Sequence, residues 1–394
     1  MKHVLSLSTL YPNAANPRFG TFVARSLEGL SKRGSWQVTV VNPIGLPPVL
    51  MGRYKALAEL PGKATEHGLE IHRPRFTLIP KVGSRRNAIA IAKTVIPLAR
   101  RIHAENPIDL VDAQFFFPDG PAAAMVAEAL NLPLSIKARG SDITYWGEQD
   151  FAREQMLEAA NAAKGLLAVS EALKRDMVAL GMPEEKIAIH YTGLDRDRFR
   201  PLDHTQLRTQ LSDAIDFAIP DNAPLLITVG ALIERKGQAH VIRALPQIER
   251  ARLLLVGRGE DEAKLRDLAR EVGVESRVHF TGSVDHDLLP LLLSAADVMV
   301  LPTSNEGLAN AWVEALACGT PVVTCDVGGA RELITSDVAG RLLTQRSPEA
   351  VAEAVNAVLN SPPRAMDVAA LVERFSWESN AAELAAYFDS LVKG

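Results

Sequence analysis

The run Pro302-Thr303-Ser304-Asn305-Glu306-Gly307-Leu308-Ala309-Asn310-Ala311-Trp312-Val313-Glu314-Ala315-Leu316-Ala317-Cys318-Gly319-Thr320-Pro321 decides the fold, because it reads as the end of a strand, a loop, a helix and a stop. Before it, Asp297-Val298-Met299-Val300-Leu301 has the length and β-branching of a buried parallel strand, and Pro321-Val322-Val323-Thr324 after it begins another. Asn310 to Ala317 is a good helix former, and Gly319 with Pro321 ends it as a C′ glycine and a breaker do. Glu306 therefore falls at the carboxyl end of a strand, where open α/β sheets place their ligands. Glu314 follows two helical turns later and points back along the same side.

A glycine-containing loop that opens a helix offers free N–H groups and a positive dipole end, which suit a diphosphate. Two carboxylates beside it suit hydroxyl groups. Together they describe a pocket for a molecule anionic in its middle and hydroxylated at both ends, as a nucleotide sugar is. A buried helix with two incidental glutamates is the alternative for Glu306 and Glu314 taken alone.

The segment Glu306 to Glu314, followed by Ala315-Leu316-Ala317-Cys318-Gly319-Thr320-Pro321-Val322-Val323 and Gly328-Gly329-Ala330-Arg331-Glu332, resembles the signature of the retaining GT-B glycosyltransferases of family four. Further points of similarity run nearly end to end: Pro118-Asp119-Gly120, Gly140-Ser141-Asp142, Val169-Ser170, Gly193-Leu194-Asp195 with Phe199 and Pro201, and Lys236-Gly237. The resemblance implies an α/β protein of two Rossmann-like, doubly wound domains facing a central cleft, the first on the acceptor side and the second binding the sugar donor.

Composition agrees with two domains. At 394 residues the chain exceeds a usual single core, and its 47% hydrophobic and 23% charged residues are ordinary for a globular protein. Cys318 and Cys325 give neither metal-ligand spacing nor a disulfide framework. Met1 to Tyr11 reads as a first strand, not as an export signal, so a cytoplasmic location is expected. The net charge of −4 hides an asymmetry: residues 1–105 carry 16 lysines and arginines against 5 acidic residues. Without a nucleic-acid motif, such a basic region would face an anionic acceptor or an anionic bilayer, or be a solvated surface with no partner.

Strand candidates alternate with amphipathic helices throughout. The boundaries expected are residues 1–195 for the first domain, 196–222 for a linker and 223–375 for the second, with a terminal helix over 376–394 crossing back onto the first. Tyr11 to Gly20 is a long loop at the end of the first strand; the resembling family has a glycine-rich loop here, and this chain has Gly20 alone, carried over as a donor contact. Ile44 to Gly68, with Pro43, Pro47, Pro48 and Pro61 in or beside it, reads as an irregular acceptor flap. Lys81 to Ala104 combines Arg85-Arg86 and Arg100-Arg101 with an apolar face through Ile89, Ile91, Val95, Ile96 and Leu98; it suits either a membrane surface or a helix packed on the sheet. Two loops at strand ends, Phe115 to Gly120 and Ala138 to Asp142, supply Asp119, Arg139 and Asp142 toward the acceptor. In the resembling family a histidine is common at Gln114 or Arg139, and neither is histidine here. Asp119 also suits a turn, and Asp142 a helix N-cap.

In the second domain, Gly230 to Gly237 follows the strand Leu225 to Val229 and carries Arg235 and Lys236 side by side. Adjacent cations at a strand-to-helix junction are costly to bury unpaired, so they should meet solvent, acid or a ligand, and a diphosphate is the obvious anion. The family often has an arginine where Ala231 stands; Arg235 is the substitute, or it points outward. Gly257-Arg258-Gly259 lacks the third glycine and the ribose-binding acid of a dinucleotide fingerprint, which argues against NAD. Gly257 and the main chain near Val284 are expected beside the nucleotide base.

The resemblance implies glycosyl transfer with retention from a UDP- or GDP-linked hexose to a hydroxyl of a lipid-linked or surface glycan. Lys236, Arg235 and the N–H groups of Gly307, Leu308, Ala309 and Asn310 would neutralise the leaving diphosphate, so no metal or other cofactor is expected. Glu314 would hold the ribose, and Glu306 the sugar hydroxyls and the charge at the anomeric carbon. The leaving phosphate or Asp142 would take the acceptor proton. The alternatives are a nucleotide-sugar epimerase or hydrolase on the same fold, and a non-catalytic nucleotide-sugar sensor or scaffold.

Overall fold

Short runs of valine, leucine and isoleucine, each followed by an amphipathic helix, fold as two separate parallel sheets in the computed structural model, which describes residues 1–79, 83–215, 217–220 and 222–393, with the backbone alone at 204–206, 213 and 214. Lys81, where the basic segment was expected to begin, lies outside the described residues, as does Gly394. The chain divides into a first unit, Met1–Gly193 with Trp377–Gly394, and a second, Leu194–Ser376. The stretch expected as a linker falls inside the second unit and contains the helix His204–Ala214, so only the crossings near 193 and 376 join the two.

The strands of the first unit are β1 (Lys2–Leu7), β2 (Trp36–Val41), β3 (Ile44–Leu46), β4 (Lys63–Glu66), β5 (Leu69–His72), β6 (Arg75–Thr77), β7 (Leu110–Ala113), β8 (Leu134–Lys137), β9 (Gly165–Ala168) and β10 (Ile187–Ile189). The main sheet runs β10-β9-β8-β7-β1-β2-β5-β4, parallel except for the β4–β5 pair. The helices that position the site are α1 (Thr21–Lys32), α2 (Arg53–Ala58), α3 (Asn87–Glu105), α4 (Asp119–Leu130) and α5 (Ser141–Thr144). One face of the sheet is covered by α3 and α4, the other by α1 and the terminal helix Trp377–Val392, whose Phe388 meets Trp36 edge to face at 5.5 Å. Asn380 of that helix accepts from Ser26 at 2.8 Å, and Asp389 pairs with Lys2 at 2.7 Å.

One expectation changes here, and one of the two alternatives for the basic segment is met. The stretch 44–68 is ordered, not irregular: β3 pairs with β6, α2 follows, and β4 turns into β5 through His67 and Gly68, both at positive φ (50° and 82°), as a two-residue hairpin of primed type requires. The apolar stripe of α3 is buried at Ile91, Val95, Ala99 and Ile102, so this helix is packed on the sheet. Among the described residues no helix is long and apolar enough to cross a membrane.

The second unit has β11 (Leu225–Val229), β12 (Arg252–Val256), β13 (Val278–Gly282), β14 (Val298–Leu301), β15 (Val322–Cys325) and β16 (Gly340–Leu343), in the parallel order β13-β12-β11-β14-β15-β16. Because β11 lies between β12 and β14, the strand order reverses there, and the loops after β11 and β14 open a crevice at the carboxyl end of the sheet. Those loops are Gly230–Gly237 and Pro302–Ala309. The helix Asn310–Ala317 ends in a Schellman arrangement: Gly319, at φ 85°, donates to Leu316 at 2.9 Å, and Thr320 to Ala315 at 2.9 Å.

Candidate active site

In the second unit Lys236 and Arg235 converge on one carboxylate. Lys236 Nζ pairs with Glu306 Oε1, and Arg235 Nη1 reaches the same oxygen at 3.2 Å while also bonding the Asn305 carbonyl. The Glu306 and Lys236 side chains are each only 13% exposed, whereas Arg235 is 44% exposed and lies at the rim. Thr303 Oγ1, fully buried, adds a bond to Glu306 at 3.4 Å. The loop that carries Glu306 is clamped from several directions. Ser304 N donates to the Arg235 carbonyl at 2.9 Å, and Gly329 N donates to the Gly307 carbonyl at 2.6 Å. A side chain at Gly328 would collide with the Glu306 carbonyl, since its Cβ would lie 1.7 Å from that oxygen. Gly237, at φ 76°, is held the same way against the Pro302 carbonyl.

Next to this cluster the helix Asn310–Ala317 begins without a side-chain cap, at Ala309. The backbone N–H groups of Gly307, Leu308, Ala309, Asn310 and Ala311 donate to no acceptor among the described residues. Free donors at a positive dipole end, beside two cations, form an anion site. Glu314 sits one helix turn before the stop, 12% exposed, with His286 Nε2 at 3.6 Å. Gly230 and Gly257 lie side by side at the ends of β11 and β12, so close that a Cβ on Gly257 would lie 2.0 Å from the Gly230 carbonyl. Val284 is half-buried in the loop after β13.

Two contributors were not legible in sequence. Arg346 donates Nε to the Pro302 carbonyl at 2.7 Å and Nη2 to the Glu234 and Arg235 carbonyls at 2.8 and 3.0 Å, stitching the two site loops together. His286 sits on an exposed loop, with Phe199 5.4 Å from its ring. No motif flags either residue; only the sheet order brings them near the strand ends.

The first unit treats its charges differently. Asp142 is fully buried, and its carboxylate accepts from the backbone N–H of Phe116 (2.9 Å), Arg139 (3.0 Å) and Gly140 (2.7 Å). It is not the expected helix N-cap: that place belongs to Gly140, and α5 has no side-chain cap. A carboxylate so engaged ties two loops together and has no free lone-pair face for use as a base. Asp119 opens α4, and its carboxylate accepts from Thr9 N at 2.8 Å while Oδ1 is buried without a partner. Burial, with the Asp142 charge nearby, pushes the Asp119 carboxyl up to about 7 despite the bond from Thr9. It fastens the start of α4 to the end of β1 and is not a surface turn residue.

Arg139 bonds Gln114 twice, Nε to its carbonyl at 3.1 Å and Nη2 to its side-chain oxygen, and lies over the Phe22 ring at 5.0 Å. Gln114 Nε2 in turn donates to Asp112 Oδ2 at 2.5 Å, which also accepts from Ser6 at 2.9 Å. Burial raises the Asp112 carboxyl and lowers the Arg139 guanidinium to about 10. Deeper still, Lys137 Nζ lies 2.6 Å from His190 Nδ1, and His190 Nε2 faces the Asn380 carbonyl at 2.9 Å. A carbonyl only accepts, so Nε2 carries the proton and Nδ1 receives the Lys137 donor; burial holds both groups below their ordinary values. Gly20, at φ 72°, starts α1 against the Leu10 carbonyl, which a Cβ would approach to 2.5 Å, so its own loop explains the glycine.

Residues 20–198 match the family model described as Glycosyltransferase Family 4, and residues 212–373 the one described as Glycosyl transferases group 1. Over 366 residues the chain is 28% identical to the putative teichuronic acid biosynthesis glycosyltransferase TuaC of Bacillus subtilis, covering 89% of this chain and 88% of that one. Over 313 residues it is 29% identical to the GDP-mannose-dependent alpha-(1-6)-phosphatidylinositol monomannoside mannosyltransferase of Mycobacterium tuberculosis, covering 75% and 79%. The structure of Anabaena HepE in complex with UDP superposes with a TM-score of 0.76 at 22% identity over 99% and 100% of the two chains, a likeness of fold: the GT-B architecture of two Rossmann-like units. With one family model on each half, the chain belongs to the glycosyltransferases of family four.

Proposed function

We propose that this glycosyltransferase moves a hexose from a UDP- or GDP-linked donor to a hydroxyl of a lipid-linked or surface-polysaccharide acceptor, with retention and without a metal ion, at the inner face of a membrane. The observation that carries the reading is the convergence of Lys236 and Arg235 on Glu306 beside the unpaired N–H groups at the start of the helix Asn310–Ala317. A diphosphate entering there exchanges with Glu306 for the two cations, which then neutralise the leaving group as the bond from C1 to its phosphate oxygen breaks. The released Glu306 carboxylate accepts from the sugar hydroxyls and stabilises positive charge at the anomeric carbon. Glu314 accepts from the ribose, with Gly230, Gly257 and Val284 lining the nucleotide. The acceptor oxygen bonds to C1, and its proton passes to the departing phosphate, the role Asp142 is too enclosed to fill.

Relatives named for teichuronic acid biosynthesis and for a GDP-mannose-dependent reaction on a phosphatidylinositol mannoside support an envelope glycan acceptor. A solved neighbour bound to UDP leaves both bases under test. Thermal-shift screening of UDP- and GDP-sugars identifies the donor; a ligand at 100 times its Kd adds about 2.7 kcal/mol of stability. Incubation of that donor alone then separates transfer from its rivals: free sugar or a 2-epimer released at a catalytic rate without acceptor overturns the proposal.

A further inference from the structure

Where the chain leaves the first unit and returns to it, a buried polar chain runs that the proposed reaction does not use. Lys137, at the end of β8, and His190, just past β10, are 1% and 2% exposed, and Lys137 Nζ stands 2.6 Å from His190 Nδ1. On the other side of the ring, Nε2 donates to the Asn380 carbonyl at 2.9 Å. Asn380 lies buried in the first turn of the terminal helix; its Nδ2 donates to the Tyr191 carbonyl at 2.6 Å, and its Oδ1 accepts from the Ser26 hydroxyl at 2.8 Å. Gly193 follows, packed so closely that a Cβ on it would lie 2.5 Å from the Trp377 ring. The first turn of the helix is therefore held to the segment leaving β10 by hydrogen bonds that lead back to one imidazole. Its later turns are held by Leu384, Phe388 and Leu391, which are buried, apolar and do not titrate.

The proton count at this ring is restricted. The Asn380 carbonyl only accepts, so Nε2 keeps its proton and Nδ1 meets Lys137 as an acceptor. Of the two groups the amine is the more basic, so whatever proton the pair holds rests on Lys137 and the imidazole stays neutral. A second proton, on Nδ1, sets two cations against each other in the interior. The other charges that bear on the pair are Arg139 at the end of β8, which adds to the repulsion, and Asp112 of β7 and Glu383 of the terminal helix, which oppose it. Burial comes first among the causes and holds His190 well below its ordinary 6.5 and Lys137 well below its ordinary 10.5. Below about pH 6.5 the unfolded chain carries a proton on both groups and the folded pair at most one. The stabilisation this contact gives is thus present above that pH and falls as pH drops below it.

We infer that Lys137, His190 and Asn380 form an acid-sensitive latch: a second proton on the pair releases the first turn of the terminal helix from the segment leaving β10. The latch lies wholly within the first unit and does not depend on which donor the second unit binds.

The test is hydrogen exchange of the full chain, read by mass spectrometry between pH 7.5 and pH 5 and corrected for the intrinsic pH dependence of exchange, in the wild type, His190→Gln and Lys137→Met. In the wild type the protection of residues 377–384 is expected to fall by about tenfold per pH unit below about 6.5, one proton being linked to opening, while α3 keeps its own protection. His190→Gln retains an amide donor for the Asn380 carbonyl and an oxygen for Lys137 but takes up no proton, so its protection should not vary with pH. Lys137→Met removes the facing cation and should lose less protection at pH 5 than the wild type does. Long-range proton–nitrogen NMR spectra of the wild type check the proton count without any variant: His190 should remain the neutral Nε2–H tautomer for as long as residues 377–384 stay protected. The inference is overturned if the wild type keeps full protection of 377–384 at pH 5, if His190→Gln loses it as the wild type does, if an imidazolium is seen at His190 with the helix still protected, or if α3 opens in step, which would make the event global unfolding.

Discussion

The two units carry charge at the same place, the carboxyl ends of parallel strands, yet use it in opposite ways. In the second unit Arg235, Lys236 and Glu306 sit at the crevice mouth, partly exposed, with cations in excess and free helix donors beside them. In the first, Asp112, Asp119, Arg139 and Asp142 are turned inward and bond to backbone groups or to the Ser6 and Gln114 side chains. A charge held half-open by an exchangeable partner can serve a ligand; one saturated by backbone N–H groups serves the scaffold. On the proposed function, the difference puts binding of the diphosphate on side chains of the second unit and recognition in the first on exposed loops.

The comparison breaks most visibly at Glu306. Glu306→Gln should lower kcat by about a thousandfold, from loss of charge at the anomeric centre, while nucleoside diphosphate still binds because the cations stay. An effect below tenfold in initial-rate assays would make Glu306 a mere counter-ion. At Asp142 the opposite pattern is expected. Asp142→Ala orphans three backbone N–H groups and should cost about 3 kcal/mol in urea unfolding, with turnover of the folded fraction within a few-fold of wild type; intact stability with abolished turnover would reinstate it as the base. Arg346→Ala should raise the donor KM about tenfold with a smaller change in kcat, because it loosens two loops without touching the reacting atoms.

The smallest effect concerns pH. Burial raises the Asp119 carboxyl to about 7 in the folded chain, so between its ordinary value of 3.8 and about 7 the folded state holds a proton that the unfolded state has lost. Its contribution to stability therefore falls as pH rises through that window and is constant above it. Asp119→Asn lacks this penalty, so its stability relative to wild type should be greater at pH 8 than at pH 5. A difference that does not vary with pH would mean that Asp119 is ionised normally.

Much of the fold was readable because parallel strands buried on both faces write themselves as short apolar runs, and helix stops such as Gly319 leave one-residue signals. The Ser170 cap, whose hydroxyl accepts from Leu173 N at 3.0 Å, is another such local signal. Lys236 and Glu306 were readable as separate residues; that they pair depends on β11 lying beside β14, which no local pattern states. Asp142 looked like a cap because a cap and a loop tie use the same residue, and only the partner, Phe116 from another strand's end, tells them apart. The prolines of 44–68 hid β3 and α2, since each element is short and stabilised by neighbours distant in sequence. Arg346 donates to carbonyls, and carbonyls have no sequence signature.

The central claim is that the second unit grips a diphosphate through Lys236 and the open helix end. Titrating UDP, GDP and the matching nucleosides into the wild type and Lys236→Ala by calorimetry tests it most directly. The account predicts that one nucleoside diphosphate binds, that Lys236→Ala weakens it by about a hundredfold as lost charge-assisted bonds should, and that the nucleoside is affected little. Equal affinity of wild type and Lys236→Ala for that diphosphate would contradict it.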